Sequence, residues 1–241
     1  MPTAPRILVI VPTYDEIGAL PLILGRLRAV LPDADILVMD DNSPDGTGEL
    51  ADRLAAADSH VQVRHRPGKG GLGPAYLAGF TWGHRKGYQY FVEMDADGSH
   101  QPEELNTLLE TALDYDLVLG TRWMEGGSVV NWPLSRRLVS RFGTQYAALA
   151  LRVSYRDLTS GYRVLSRQLV TDILAADLKT IGYGFQIEIV RIAAANGRRI
   201  AERPITFVER VAGSSKMSRK IVYEAWSKTT LWGLQRILNR R

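Results

Sequence analysis

Cysteine is absent from the 241-residue sequence. Disulfides and thiolate metal sites are thereby excluded, and the chain suits a reducing cytoplasm. No apolar stretch approaches the roughly 18–20 residues needed to span a bilayer. The N-terminal Met1-Pro2-Thr3-Ala4-Pro5-Arg6 has no signal-peptide organisation and leads straight into a strand-like run. The first strand is not followed by Gly-x-Gly-x-x-Gly, and no Walker-type Lys-Ser/Thr is present, which argues against a dinucleotide-binding dehydrogenase and a P-loop kinase. Histidine is scarce. His60, His65, His84 and His100 are scattered, and none forms an obvious acid–base couple with a carboxylate.

What is present is globular: 45% hydrophobic and 23% charged residues. The net charge of +4 is unevenly placed. Residues 210–241 hold eight Lys and Arg against the single acid Glu224, which leaves the remainder with 22 basic and 25 acidic residues. A uniformly basic nucleic-acid binder would not divide its charge this way, so no nucleic-acid partner is expected. A basic terminal segment fits a local anionic partner, either phosphates or an anionic membrane surface.

Strand and helix signals alternate through the first half. Strands are expected over 6–11, 36–39, 61–64, 90–94 and 117–119, with helices over 20–30, 47–57, 74–86 and 103–113. Further strands are expected over 161–165 and 200–208, and further helices over 185–195 and 218–239. Such alternation predicts an α/β fold with a mainly parallel sheet flanked by helices. Ligands then bind beyond the carboxyl ends of the strands.

Polar clusters fall at those ends: Pro12-Thr13-Tyr14-Asp15-Glu16, Asp40-Asp41-Asn42-Ser43-Pro44-Asp45-Gly46, and Asp95-Ala96-Asp97. Each alone reads as a turn. Asp95 and Asp97 can equally cap the helix that follows, or both reach one hard divalent cation, which keeps waters and takes its other ligands from substrate phosphates. Three carboxylate-bearing loops on one rim favour a metal-bridged, nucleotide-activated substrate. In Gly68-Lys69-Gly70-Gly71-Leu72-Gly73, close packing is favoured over a phosphate cradle. The basic run around Arg136, Arg137 and Arg141 is either a solvated face or a phosphate clamp. Residues 218–241 have helical apolar spacing with Trp226 and flanking Lys and Arg, fitting an interfacial amphipathic helix or a terminal helix packed on the sheet.

Taken together, the motifs resemble the polyprenol-phosphate mannosyltransferases, the dolichol-phosphate-mannose synthase type of glycosyltransferase family 2. The matching segments are Pro12-Thr13-Tyr14-Asp15-Glu16, Met39-Asp40-Asp41-Asn42-Ser43-Pro44-Asp45-Gly46-Thr47, Gly71-Leu72-Gly73, Met94-Asp95-Ala96-Asp97 with Ser99-His100-Gln101-Pro102, and Gly120-Thr121-Arg122-Trp123. They continue with Asp157-Leu158-Thr159-Ser160-Gly161-Tyr162-Arg163, Gly184-Phe185-Gln186-Ile187-Glu188, Phe207-Val208-Glu209-Arg210 and Gly213-Ser214-Ser215-Lys216. They run in order over residues 12–216. The resemblance implies a GT-A domain over 1–217 followed by the basic helix 218–241. It also implies inverting, metal-dependent transfer of mannose from GDP-mannose to a polyprenol phosphate.

By position, Pro12, Tyr14, Glu16 and Asp41 would hold the nucleoside, with Met39 and Ala96 also against the nucleotide sugar. Asp95, Asp97 and Ser99 would hold Mg²⁺ or Mn²⁺. Arg210 and Lys216 would contact the nucleotide phosphates, and Arg122 and Arg136 would grip the acceptor phosphate. Asp97, Arg122 and Arg136 form the implied catalytic set, while the role of Glu188 stays open between a structural hydrogen bond and catalysis. The implied location is peripheral, on the cytoplasmic face of a membrane, with a membrane-embedded protein as a further candidate partner. Many relatives carry transmembrane helices after this domain, and this sequence ends at Arg241. Gly70 and Gly98 stand where bulkier apolar residues are common. Transfer of another sugar, such as glucose from UDP-glucose, is the nearest alternative. A nucleotidyltransferase fits less well because the first loop is acidic. A non-enzymatic basic adaptor would leave the rim carboxylates unexplained.

Overall fold

The first strand, β1 (Ile7–Thr13), shows why the sheet lies in the middle of the molecule. Leu8, Val9, Ile10 and Val11 are all fully buried. Leu8 and Ile10 join one apolar cluster, and Val9 and Val11 join the other. Alternating side chains thus enter cores on opposite faces of the sheet, each contributing about 1.5–3 kcal/mol by burial. A strand covered on both faces reads as an unbroken apolar run, as this one does.

The computed structural model describes residues 5–210, except 177, 179 and 181, together with residues 227–233. After β1 come α1 (Leu20–Val30), β2 (Asp35–Asp40), α2 (Thr47–Ala57), β3 (Val61–His65), α3 (Leu72–Lys86) and β4 (Tyr90–Glu93). A 3₁₀ turn (Pro102–Glu104) leads into α4 (Leu105–Ala112), β5 (Leu117–Thr121), β6 (Ser128–Val130) and α5 (Leu134–Leu151). The remainder is β7 (Arg163–Ser166), α6 (Arg167–Ala175), α7 (Tyr183–Ala195), β8 (Ile200–Pro204) and β9 (Thr206–Val208). The main sheet has the order β3-β2-β1-β4-β7-β5-β8. All its pairings are parallel except those of β7, which runs antiparallel to β4 and β5.

The expected mainly parallel sheet is present, with β7 as the antiparallel insertion. The run 200–208, expected as one strand, divides at Pro204 and Ile205. Its first part pairs with β5, and its second part leaves to pair with β6 in a separate two-stranded parallel sheet. The Ile205 amide still bonds Thr121 O at 3.1 Å, so the chain turns while anchored to the main sheet.

Helix α3 lies close against the sheet because it carries glycines on that face. A Cβ on Gly83 would come within 2.5 Å of Leu8 Cδ2 and 2.7 Å of Phe91 Cε1. At the helix start, a Cβ on Gly73 would lie 2.5 Å from the Thr180 carbonyl oxygen. The packing reading of this glycine-rich turn is therefore the one the geometry carries.

Residues 227–233 are helical. Trp232 packs against the core cluster that includes Ala147 and Leu151 of α5. Tyr146 and Thr230 share a hydroxyl hydrogen bond of 2.5 Å, and Thr229 is buried. The rest of the expected terminal helix lies outside the described residues.

Candidate active site

In the order β3-β2-β1-β4 the chain builds outward in one direction and then returns to the other side of β1. The carboxyl ends of β1 and β4 flank this switch point, where open α/β sheets bind ligands. A cavity of about 270 Å³ opens there. Pro12, Tyr14, Glu16, Asp41, Asp95, Ala96, Asp97, Arg122, Arg136 and Arg210 all line it. Two expected residues are placed elsewhere. Met39 is turned into the core by the alternation of β2. Ser99 is buried behind the carboxylate it supports, its backbone N–H donating to Asp97 Oδ1 at 3.0 Å. Lys216 lies outside the described residues.

Buried Asp40 joins the first two rim loops. It accepts from Thr13 Oγ1 at 3.0 Å, Ser43 Oγ at 2.6 Å and the Ser43 amide at 3.1 Å. Glu16 is presented by its own amide, which donates to Thr47 Oγ1 at 3.0 Å. Asp15 and Asn42 adopt left-handed backbone (φ 55° and 56°), which Asp and Asn tolerate better than most residues. Asp41 pairs with Arg66 and accepts the Gly70 amide at 3.0 Å, so the glycine-rich turn closes over the second rim loop. Lys69 from that turn sits 4.1 Å from the centre of the Tyr14 ring, completing a cationic, aromatic and acidic corner.

The Asp95 amide donates to His100 Nδ1 at 3.1 Å. That makes Nδ1 an acceptor and puts the proton of the neutral ring on Nε2. His100 is buried, stacked on Tyr162 with centroids 4.8 Å apart, and edge-on to Phe207. Burial lowers its pKa to about 4, so it is neutral near pH 7. Burial and then the neighbouring Asp97 raise the pKa of Asp95. Burial acts in the same sense on Asp97, but Ser99 and Arg210 outweigh it and hold Asp97 below the ordinary carboxylate value. Arg210 Nη2 lies 3.0 Å from Asp97 Oδ2.

Such a pair resists carrying two negative charges at once, a state that a dication relieves. Among the described residues no group of three or more His, Cys, Asp or Glu could hold a metal ion. The two aspartates therefore fit a cation that draws its remaining ligands from phosphate and water.

At the other end of the cavity, Arg122 lies across an aromatic wall. Its guanidinium is 5.5 Å from the ring centres of both Trp132 and Phe207. It also forks onto buried Asp157, with Nε–Oδ2 at 2.7 Å and Nη2–Oδ1 at 2.8 Å, and Nη2 reaches Thr159 Oγ1 at 3.0 Å. Arg122 is thus a wall residue locked by an ion pair rather than a loose clamp. Arg136, from the first turn of α5, stacks 4.1 Å from the Trp132 centroid and pairs with Glu209. Glu188 does not line the cavity. It accepts from Thr180 Oγ1 at 2.8 Å and Arg191 Nη2 at 3.2 Å, a structural arrangement.

The small β6–β9 sheet ties these ends together. Val208 N donates to Ser99 O at 3.0 Å, and Glu209 N to Val130 O at 3.0 Å. Sequence reasoning named neither Gln186 nor Trp132 as a site residue, yet both line the cavity. Gln186 stands inside a motif quoted for the family, and Trp132 precedes the basic run, so both signals were present.

The model of glycosyl transferase family 2 matches residues 8–174. The undecaprenyl-phosphate mannosyltransferase of Micrococcus luteus is 52% identical over 229 residues, covering 95% of this chain and 94% of the relative. The polyprenol monophosphomannose synthase of Mycolicibacterium smegmatis is 50% identical over 238 residues, covering 98% and 89%. Among solved structures, glucosyl-3-phosphoglycerate synthase from Mycobacterium tuberculosis, in complex with Mn²⁺, UDP and phosphoglyceric acid, superposes with a TM-score of 0.67 at 19% identity, covering 94% of this chain and 79% of that one. Its complex with Mn²⁺, UDP-glucose and phosphoglyceric acid gives 0.65 at 19% identity, covering 94% and 80%. With a GT-A architecture and these relatives, the chain belongs to glycosyl transferase family 2, among the polyprenol-phosphate mannosyltransferases.

Proposed function

We propose that this enzyme transfers mannose, with inversion, from GDP-mannose to the phosphate of a polyprenol. The observation that carries the reading is the polarity of the cavity: paired carboxylates at one end, arginines on an aromatic wall at the other. The first end suits a cation-bridged diphosphate, and the second suits an anion bearing a lipid. Mg²⁺ or Mn²⁺ held by Asp95 and Asp97 would supply charge neutralisation for the departing diphosphate.

The chain's own residues do the rest. Tyr14, Glu16, Asp41 and Lys69 form the corner that receives the nucleoside. Arg210, beside Asp97, is placed to meet diphosphate oxygens. Arg136 holds the acceptor phosphate, and Arg122 stiffens the wall behind it. An oxygen of that phosphate attacks the anomeric carbon. The bond from that carbon to the diphosphate oxygen breaks, and its electron pair leaves on GDP. A phosphate monoester is already anionic near neutral pH, so the step needs no strong base. That agrees with a neutral His100 and with Glu188 lying off the cavity. Holding the two anions in line is the main catalytic task.

The described helices include none long and apolar enough to cross a membrane. Instead α5 exposes Leu134 (70%), Leu138 (60%) and Phe142 (56%) at a spacing of four, with Val139 beside them. Arg137 and Arg141 flank this stripe, and Arg136 of the same helix enters the cavity. An apolar stripe with basic flanks is the signature of a helix lying in a membrane interface. We assign peripheral membrane docking to this face of α5, which would present the cavity mouth to a lipid phosphate. A donor screen with polyprenol phosphate, reading radiolabel in the lipid phase, tests the central reading. GDP-mannose should label the lipid in a metal-dependent way. Preferential labelling from UDP-glucose would overturn the donor assignment.

A further inference from the structure

Gln186 occupies a costly position. It is 1% exposed, on α7, and faces the cavity. Neither its Nε2 nor its Oε1 has a partner at hydrogen-bonding distance among the described residues. Burial raises the nearby Glu93 carboxyl to about 7, opposed first by the Arg163 charge and only then by the Gln186 amide, which falls short of hydrogen-bond geometry there. Buried amides are nearly always satisfied, so an unsatisfied one in a cavity wall calls for a ligand.

Gly161 places this amide among the reacting groups. A Cβ there would lie 3.8 Å from Gln186 Nε2, 3.8 Å from His100 Cε1 and 3.9 Å from Asp95 Oδ1. Three side chains thus converge on the space that Gly161 leaves open. One of them is a carboxylate of the diphosphate end. His100 Nε2, which carries the ring proton, is also buried with no hydrogen-bond partner among the described residues, its nearest carboxylate oxygen being Asp95 Oδ2 at 3.9 Å. Donors and acceptors that are neutral, unpaired and beside the diphosphate end match neither a nucleobase corner nor an anion clamp. They match the hydroxyl groups of a sugar ring.

We propose that Gln186 reads the transferred sugar, its Nε2–H donating to one hydroxyl and its Oε1 accepting from a neighbouring one, with His100 Nε2–H as a third contact. This deepens the donor reading above and rests on it. Gln186 is then a determinant of donor-sugar affinity and orientation, separate from the groups that hold GDP.

The test compares GDP with GDP-mannose by titration calorimetry in Mn²⁺, on wild type, Gln186→Leu and the near-isosteric Gln186→Glu. Gln186→Leu should bind GDP-mannose about tenfold more weakly, the scale of a lost neutral hydrogen-bond pair, and GDP within about twofold of wild type. Gln186→Glu, which keeps acceptors but loses the N–H, should recover part of the loss. Donor KM should follow the same order. Unchanged GDP-mannose affinity overturns the proposal. Equal losses for GDP and GDP-mannose in both variants, with a lowered Tm, also overturn it, because Gln186 would then be supporting Glu93 and the strand beneath the aspartates. If wild type gains nothing from the mannosyl group but binds UDP-glucose, the donor reading has failed. The same comparison of UDP with UDP-glucose then decides the role of Gln186.

Discussion

Replacing Asp157 by Asn should unsettle this protein more than its conservative size suggests. Asp157 is fully buried and faces an Arg122 guanidinium that is only 6% exposed. It accepts from Arg122 Nε, Nη2 and backbone N–H, and from Thr159 Oγ1. Burial alone would raise its pKa, yet the Arg122 charge and these hydrogen bonds hold it below the ordinary carboxylate value. Asparagine keeps the shape but leaves Arg122 charged with no compensating anion. Breaking one side of a buried pair costs about 3–5 kcal/mol. For a chain of this size that corresponds to a Tm loss of roughly 6–20 °C.

Thermal denaturation followed by circular dichroism at pH 7 reads it. The double variant Arg122→Met/Asp157→Leu should regain much of the loss, since apolar replacement of a whole buried pair is often neutral. It should still transfer poorly, because the wall behind the acceptor phosphate has lost its charge. Because the folded pKa is depressed, the wild-type carboxylate contributes fully above about pH 4, its unfolded value. That contribution fades as pH falls through the lower folded value. The gap between Asp157→Asn and wild type should therefore narrow on acidification. A Tm within about 2 °C of wild type at pH 7, at most about 1 kcal/mol by the same scaling, would refute the claim that this pair is desolvated.

Other consequences are simpler to state. Asp97→Ala should abolish transfer while leaving Tm near wild type; metal-dependent turnover near wild type in the folded variant would remove Asp97 from the metal site. Arg136→Ala should raise the polyprenol-phosphate KM by roughly 10–100-fold, the scale of a lost charged hydrogen bond of about 1.5–3 kcal/mol, with GDP affinity unchanged. A loss of GDP affinity at constant acceptor KM would reverse the assignment. The pair Leu138→Glu and Phe142→Glu should release the enzyme from anionic vesicles in a sedimentation assay without changing GDP binding. Undiminished sedimentation would place the docking surface elsewhere.

The parallel half of the fold was legible because strands buried on both faces leave unbroken apolar runs, as at Leu8–Val11 and Leu117–Leu119. Periodicity says nothing about neighbour order, so β7 could not be foreseen between β4 and β5. The run 200–208 keeps its apolar character through Pro204 and Ile205, so its departure from the main sheet left little trace. In the site, the strand-end carboxylates Asp41, Asp95 and Asp97 announced themselves because their loops follow their strands directly. The setting of Arg122 did not. Its charge suggests an anion, but the anion it meets is Asp157, 35 residues away in sequence. Met39 shows the converse error, since a residue adjacent to a functional loop can still point into the core.

The short strand β9 is followed directly by two neighbouring residues of opposite charge. Glu209 pairs with Arg136, at the acceptor end, and Arg210 pairs with Asp97, at the donor end. Without substrates the site therefore carries its own counter-ions. On the proposed roles, a cation at the aspartates would compete with Arg210 for Asp97, and the displaced guanidinium would be free to meet the incoming diphosphate. An acceptor phosphate would likewise compete with Glu209 for Arg136. Each substrate would then enter by exchanging an internal ion pair for an external one. Both exchanges would involve adjacent residues, just past the end of β9. A single peptide bond thus separates the residue that would answer the donor from the one that would answer the acceptor.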